Sequence, residues 1–528
     1  MNRAVPAGPK PGSFLAFQNN GVAHVVNGTE AVNSVQKFEI RMDESLGRST
    51  RGIVRTLFES GIELSLPVWD IALARALLAN ETPGLVDEID SFRCPTDHAA
   101  ALKALKSIQQ RARCALEATG QLNVLEQIEI PLMPILAKME MEGIKCDKDA
   151  LLASDEAITK RLAAVTSKIH EDAGCTFNID NSHELGRVLY LDLQLSDDPP
   201  RTPTGLFATD EATLCALPSH PIIDPILEYR RLATLKRSYL NALPGAINPK
   251  TGKIHTTFEQ LEAANGRLVS KNPNLQNIPI ASKEGRVIRR AFIPRNDDYL
   301  ILSADYSQLE LRFLAHFSGD ETLLSAFRAG EDVHAATASR VFRVNAHEVT
   351  EWMRAEAKAI NYGIAYGMSP FGLAKRTGRS INESKSTIDS YFARMPRVRE
   401  FSDIIIDTAR RQGFVSTICG RRRYVPEIKD RNFSARRRSE RIAVCSPIQG
   451  SAADLIKLAM VSIHDAIQER RLKTRMLLQV HDELVFDVYR PEEGEVKELI
   501  REKMETALSL STPLVVTIGV GANWLELN

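Results

Sequence analysis

The sequence predicts an α/β multidomain fold with long helical insertions, and three observations predict it. The chain has 528 residues, well beyond the ~300 at which one hydrophobic core stops growing. Beyond residue 240, short apolar strand signals alternate with helical periodicity. Uninterrupted helical patterns also run from Lys148 to His170, Asp224 to Leu240 and Glu351 to Tyr366. Apolar residues make up 44% and charged residues 25%, which excludes a collagen-like, disordered or mucin-like chain.

Taken in order, Ser13 to Val26 is expected to form a hairpin around Asn19-Asn20-Gly21. Val68 to Leu78 reads as a helix, and Leu122 to Met141 is strongly periodic and apolar. Residues 147–240 read as helices broken by a loop containing Pro199, Pro200, Pro203 and Gly205. Tyr299 to Ala304 is a short apolar strand ending in Asp305, and Arg475 to Val488 reads as two strands flanking His481-Asp482. Internal repeats and low-complexity tracts are absent.

Charge and processing signals narrow the class. The chain carries 67 Lys+Arg against 67 Asp+Glu, which excludes a uniformly basic protein. It does not exclude a nucleic-acid binder, because a local basic stripe is what matters. Such a stripe exists: Arg421, Arg422, Arg423, Arg431, Arg436, Arg437, Arg438 and Arg441 crowd together, as a phosphate-contacting run or a solvated basic loop. No apolar run approaches the ~20 residues of a membrane span, and no secretory h-region follows Arg3 and Lys10. Seven scattered cysteines without a C-x-x-C pair fit reduced thiols in a cytoplasmic protein.

Three segments carry chemistry. In Leu302-Ser303-Ala304-Asp305-Tyr306-Ser307-Gln308-Leu309-Glu310 an acid stands at the end of an apolar strand, either projecting into a cleft or capping the helix that follows. In Gln479-Val480-His481-Asp482-Glu483-Leu484-Val485 two acids interrupt apolar strands where a hairpin turns. Asp482 is a turn residue or a ligand, and the turn lacks the usual Gly or Asn. Two strand-end carboxylates far apart in sequence suit a two-metal phosphoryl-transfer site, since Mg²⁺ takes one or two carboxylates with water and substrate phosphates. In the third segment Arg354, Lys358, Tyr362 and Tyr366 recur every four positions and share one drifting helix face. Two cations followed by two aromatics suit a triphosphate, then a base and sugar, laid along the helix. The alternative is a solvated face with a core-facing aromatic end.

Together these segments resemble motifs A, B and C of family A DNA polymerases, the DNA polymerase I type. Asn265-Gly266-Arg267-Leu268 and Asn272-Pro273-Asn274-Leu275-Gln276-Asn277-Ile278-Pro279 are similar to the stretch before motif A. Gly330-Glu331-Asp332-Val333-His334 resembles a fingers segment, and Gln449-Gly450-Ser451-Ala452-Ala453-Asp454 the palm segment before motif C. The likeness runs from about residue 119 to the C-terminus. It implies a right-hand fold with an antiparallel palm sheet over 119–147, 240–310 and 420–528, a helical thumb over 148–239 and helical fingers over 311–419.

By that resemblance, Asp305 and Asp482 would bind two Mg²⁺ ions (Mn²⁺ substituting), with the Tyr306 carbonyl as a further ligand and Glu483 as a supporting acid. Arg354, Lys358 and His334 would contact the triphosphate, with Lys358 donating a proton to departing pyrophosphate; Gln308 would also face the nucleotide. Glu310 with Tyr366 would exclude a ribose 2′-hydroxyl, and Tyr362, where bacterial members have Phe, would weaken discrimination against dideoxynucleotides. Arg267, Arg441, Gln449, His481 and Asn277 would contact template–primer DNA. Cys445, in place of the family's Asn, and Val269, in place of a small polar residue, depart from the pattern. A thiol is a poor donor beside an amide.

Residues 1–118 resemble a shortened 3′–5′ exonuclease domain at Ser60-Gly61-Ile62-Glu63-Leu64 and Val68-Trp69-Asp70-Ile71, too short to include a 5′-nuclease domain. Asp70 matches one metal-binding acid, but no Asp-x-Glu pair follows Ser13-Phe14-Leu15-Ala16-Phe17, and the segment from Asp97 to Leu102 lacks the late acid. One carboxylate cannot hold two metals, so proofreading is not expected. The resulting expectation is a monomeric, template-directed DNA polymerase that uses dNTPs in replication or repair, with no membrane partner and no processivity partner named by the sequence. A single-subunit RNA polymerase is opposed by Glu310, and a dead DNA-binding relative by the intact Asp305, Asp482, Lys358 and Arg354.

Overall fold

The computed structural model describes residues 14–19, 22–27, 40–41, 68–91, 98–202, 204–260, 262–279, 283–342, 344–365 and 367–527. The chain divides into two compact units. One comprises residues 1–142, 257–271 and 304–518; the other comprises 143–256, 272–303 and 519–528.

In the first unit, β1 (Phe14–Asn19) pairs antiparallel with β2 (Val22–Asn27), as the hairpin pattern predicts, and β2 pairs with β3 (Ile40–Arg41). On its other edge β1 runs parallel to β4 (Val68–Trp69). The predicted helix over Val68 to Leu78 is therefore corrected: Val68 and Trp69 are strand, and α1 spans Ile71–Leu78. Asp70 separates the two, its carboxylate accepting from the Ala72 and Leu73 N–H groups at 2.7 and 3.1 Å. That cap satisfies donors a helix start leaves open, which hydrophobic periodicity alone does not reveal. Trp69, Leu73, Leu78, Leu116 and Leu125 pack into one core, joining α1 to α2 (His98–Ala118). The periodic stretch after residue 122 is helical throughout but begins as one π-helical segment, Val124–Glu129, before α3 (Ile130–Glu142).

The central sheet has the order β13–β14–β10–β15, made from β10 (Tyr299–Tyr306), β13 (Arg475–Val480), β14 (Glu483–Tyr489) and β15 (Val516–Gly521). Ile301 to Ala304 are buried, so the strand reads as an apolar run rather than an alternating one. Strands β13 and β14 are antiparallel, with Val480 opposite Glu483, which leaves His481-Asp482 as a two-residue connection. Tight hairpin connections require positive φ, and His481 supplies it at 53° without being glycine. Helix α13 (Phe433–Glu469), 37 residues long, is capped by Asn432, carries Pro447 in its interior and packs against α3.

The helices that follow β10 are α6 (Leu309–Ser318), α7 (Glu321–Arg328), α8 (Val333–Phe342), α9 (Glu351–Ala365), α10 (Pro370–Thr377), α11 (Ile381–Arg394) and α12 (Pro396–Gln412). Strands β11 (Phe414–Ser416) and β12 (Arg422–Tyr424) then form an antiparallel ribbon. In the second unit, α4 (Lys148–Ala173) packs with α5 (Ile223–Leu235). There β5 (Ile144–Cys146) pairs with β6 (Lys253–Ile254) and β9 (Phe292–Ile293), and Trp524 meets Phe292 edge to face at 5.5 Å.

Candidate active site

Asp305 is not a helix cap. It lies within β10, and the N-cap position of α6 is held by Gln308, whose side chain makes no cap hydrogen bond. The Tyr306 N–H donates to the Asp482 carbonyl at 3.2 Å, setting the end of β10 beside the β13–β14 turn. Two carboxylates 177 positions apart in the sequence thus stand close together. Gln308, at φ 54°, and His481, at φ 53°, lie beside them in the left-handed region that non-glycine residues rarely adopt. Strained backbone of this kind persists where surrounding structure over-determines it, as at functional sites.

The electrostatics follow from that proximity. Burial, then the Glu483 charge, pushes the Asp305 carboxyl up to about 6, with Lys358 opposing. Burial, then Glu310, pushes Asp482 up to about 7; Asp305 adds to this and Arg267 opposes it. Here burial and carboxylate repulsion outweigh the charges of Lys358 and Arg267, a condition that a divalent cation relieves. Two carboxylates and the Tyr306 carbonyl fit a hard cation that completes its shell with water and substrate oxygens. Among the described residues no group of three or more His, Cys, Asp or Glu forms a preassembled metal cage.

The predicted face of α9 is present as far as Tyr362; Tyr366 lies outside the described residues. Exposed Lys358 makes no ion pair or hydrogen bond among the described residues, yet its charge reaches both Asp305 and His334. Arg354 pairs with Asp332 at 2.5 Å, a partner the sequence pattern did not disclose. Burial, followed by the charges of Glu310, Asp482 and Asp305, pushes the Tyr362 hydroxyl up to about 12. Glu310 is buried and accepts from Arg267 at 2.7 Å.

His334 on α8 is buried, packs 5.7 Å from the Tyr362 ring, and its Nδ1 lies 3.0 Å from Asn361 Nδ2. Burial, with Arg354 and Lys358 assisting against Asp332, pushes His334 down to about 4. It is therefore a neutral donor rather than a third cation, with Nδ1 accepting from Asn361 and the proton on Nε2. A lowered folded value means stability is full above the ordinary ~6.5 and is lost as pH falls towards 4. The His334 imidazole resonance is expected to stay fixed between about pH 5.5 and 8, and movement near the ordinary value would overturn this. Asn361, invisible to motif reading, holds His334 while its Oδ1 accepts from Thr337 at 3.1 Å.

Gln449 accepts weakly from Asn265 at 3.5 Å, and Arg441 and His481 are exposed. Asn277, also exposed, belongs to the second unit. The Cys445 thiol donates to the Arg441 carbonyl at 2.6 Å, and burial pushes it up to about 11, so it stays protonated. The arginine-rich run is corrected: Arg421 is buried between Glu129 and Asp454, Arg422 pairs with Glu81, Arg437 with Glu440 and Arg438 with Glu427. Part of the apparent DNA-facing charge is thus spent inside the protein.

Residues 148–526 match the family model described as DNA polymerase family A. DNA polymerase I of Geobacillus stearothermophilus is 43% identical over 423 residues, 80% of this chain and 48% of that one. DNA polymerase I of Pseudomonas aeruginosa is 44% identical over 431 residues, 81% of this chain and 46% of that one. The chain spans about half the length of these curated relatives. The solved POL domain of Pol1 from M. smegmatis, a complex with DNA primer-template and dNTP, superimposes with a TM-score of 0.85 at 34% identity, covering 96% of this chain and 93% of that one. No described helix is long and apolar enough to cross a membrane.

Proposed function

The chain belongs to DNA polymerase family A, and on that premise we propose that it is a template-directed DNA polymerase. It adds dNTPs to a primer 3′-OH and releases pyrophosphate. The observation that carries this reading is the Tyr306–Asp482 backbone bond, which sets the Asp305 and Asp482 carboxylates together beside Lys358 and Tyr362. Asp305, Asp482 and the Tyr306 carbonyl would hold two Mg²⁺ ions, or Mn²⁺, which supply Lewis-acid activation of the primer oxygen and neutralise phosphate charge.

The protein's own groups do the rest. Arg354 leaves Asp332 to meet the triphosphate, exposed Lys358 offers it charge and a proton for the departing pyrophosphate, and neutral His334 donates from Nε2. Glu310, held by Arg267, bars a 2′-hydroxyl together with Tyr366, and Gln308 borders the nucleotide. Arg267, Gln449, His481 and Arg441 grip template–primer through shared minor-groove acceptors, and Asn277 is a separate proposed DNA contact of the second unit. Movement of α9 onto a correctly paired nucleotide supplies selectivity. Primer extension with dNTPs, rNTPs or neither tests the whole. Extension with dNTPs alone is expected; equal use of rNTPs would favour an RNA polymerase.

Two finer expectations follow. The Tyr362 hydroxyl, which feels the charges of Glu310, Asp482 and Asp305, would fill the space of a missing 3′-OH. Tyr362→Phe is expected to raise discrimination against ddTTP by about 10²-fold or more, the scale of a site that reads a hydroxyl. Unchanged discrimination sinks the idea. Proofreading is not expected either, because Asp70 is 4% exposed and engaged as the cap of α1. A labelled primer with Mg²⁺ and no dNTPs should keep its 3′ end; shortening that Asp70→Ala abolishes would show the opposite.

A further inference from the structure

Away from the catalytic constellation, α8 and α11 line a half-open cavity of about 280 Å³. Its walls include Thr337 and Arg340 of α8, and Ser386, Ser390, Tyr391 and Arg394 of α11. Two features set it apart from an ordinary packing gap. Neither Arg340 nor Arg394 makes a side-chain hydrogen bond or ion pair among the described residues, although most arginines near them on the chain do, such as Arg328, Arg354 and Arg379. Tyr391 is only 4% exposed, and its hydroxyl has no hydrogen-bond partner. Buried hydroxyls are nearly always satisfied, so an orphan donor just behind a cavity wall is set to turn toward an acceptor that enters. Burial, with the Asp320 charge adding to it, holds that hydroxyl protonated. Asp320 itself is committed to the first turn of α7, accepting from Thr322 at 3.1 Å.

We propose that this cavity binds a phosphate group, either as a free oxyanion or as part of a nucleic-acid backbone. Arg340 and Arg394 supply planar, paired donors suited to a tetrahedral dianion. The Tyr391 hydroxyl and the Ser386 and Ser390 side chains supply the neutral donors that orient it. None of these residues belongs to the Asp305–Asp482 site, so the proposal does not depend on the catalytic reading. The wall does share Thr337 with the bond that positions Asn361, and through it His334. An occupant would thus touch the same helix that carries a nucleotide-binding residue.

Calorimetric titration of the full chain with inorganic phosphate tests this, using an Arg354→Ala/Lys358→Ala background that removes phosphate binding at α9. One bound phosphate is expected to remain. Adding Arg340→Gln and Arg394→Gln is expected to weaken it by about tenfold or more, the scale of lost charge-assisted hydrogen bonds. Tyr391→Phe should weaken it by about threefold without lowering Tm, because the hydroxyl it removes has no partner in the protein. Exposed Ser386 allows a further variant, Ser386→Asp, which is expected to abolish binding by placing a carboxylate on the wall. Absence of binding in the background protein, or binding unchanged in the glutamine and aspartate variants, overturns the proposal. A competing single-stranded oligonucleotide identifies the source. Displacement of phosphate that depends on Arg340 and Arg394 assigns the site to a backbone phosphate, and failure to displace assigns it to a free anion; either result upholds the site.

Discussion

Asp305→Ala and Asp482→Ala are each expected to lower single-turnover nucleotide incorporation by about 10³-fold or more, the scale of losing a prepositioned electrostatic group at a transferring phosphate. The cause is local. Each carboxylate is crowded by others: Asp305 by Glu483, Asp482 by Glu310 and Asp305. That arrangement is unfavourable without a cation, and on the proposed two-metal reading a bound cation would relieve it. Two readouts separate this from misfolding. In metal-free buffer neither variant should melt below wild type, because each removes a repulsive charge. Chelation of divalent ions should bring wild-type incorporation down to the level of the variants. Glu483→Ala, one position from Asp482, is expected to cost only about tenfold, as a supporting acid rather than a ligand. A fall of less than about tenfold in Asp305→Ala would remove Asp305 from the chemistry.

The strand-end acids and the α9 face were legible because their signals are local. Asp305 follows an apolar run, and Arg354, Lys358 and Tyr362 keep one helical phase. What escaped depends on partners distant in sequence. Periodicity does not announce that Asp332 holds Arg354, that Asn361 holds His334, or that Val68 and Trp69 pair with β1 as a strand. The left-handed Gln308 and His481 escaped for a related reason: non-glycine residues carry no compositional mark of positive φ. The arginine-rich run was legible as charge but not as allegiance, since Glu81, Glu129 and Asp454 come from elsewhere in the chain. Charge counting assigns such a run to solvent or DNA by default.

Arg421 decides between those assignments. If it were a DNA contact, Arg421→Ala would weaken template–primer binding, lessen its salt dependence and leave the melting temperature alone. The structure predicts the reverse order of effects. Arg421 is buried, its guanidinium bridging Glu129 at 2.5 Å and Asp454 at 2.7 Å, while Lys457 reaches Glu129 at 2.6 Å. Gln260 adds a bond to Glu129 at 2.9 Å, and Thr417 one to Asp454 at 2.7 Å. Burial alone would raise the Glu129 carboxyl, but Lys457 and Arg421 outweigh it and hold it down at about 2. Removing the guanidinium strands charge in the core, which costs about 3–5 kcal/mol for a buried pair. Arg421→Lys should rescue little, because an ammonium cannot reproduce a planar fork between two carboxylates. The network also sits under the turn that carries Arg267. A Cβ on Gly266, whose φ is 81°, would lie 2.7 Å from Arg421 Nε, so the guanidinium and the turn fit only as built. Gly266→Ala is therefore expected to disturb the Arg267–Glu310 bond and raise the KM for dNTP, while Arg267→Ala should lower incorporation and also lower Tm, because buried Glu310 loses its guanidinium. A variant Arg421→Ala that melts like wild type but binds DNA weakly would return the residue to the DNA-facing surface. One that melts early, with DNA binding lost only in proportion to unfolding, places it beneath the site.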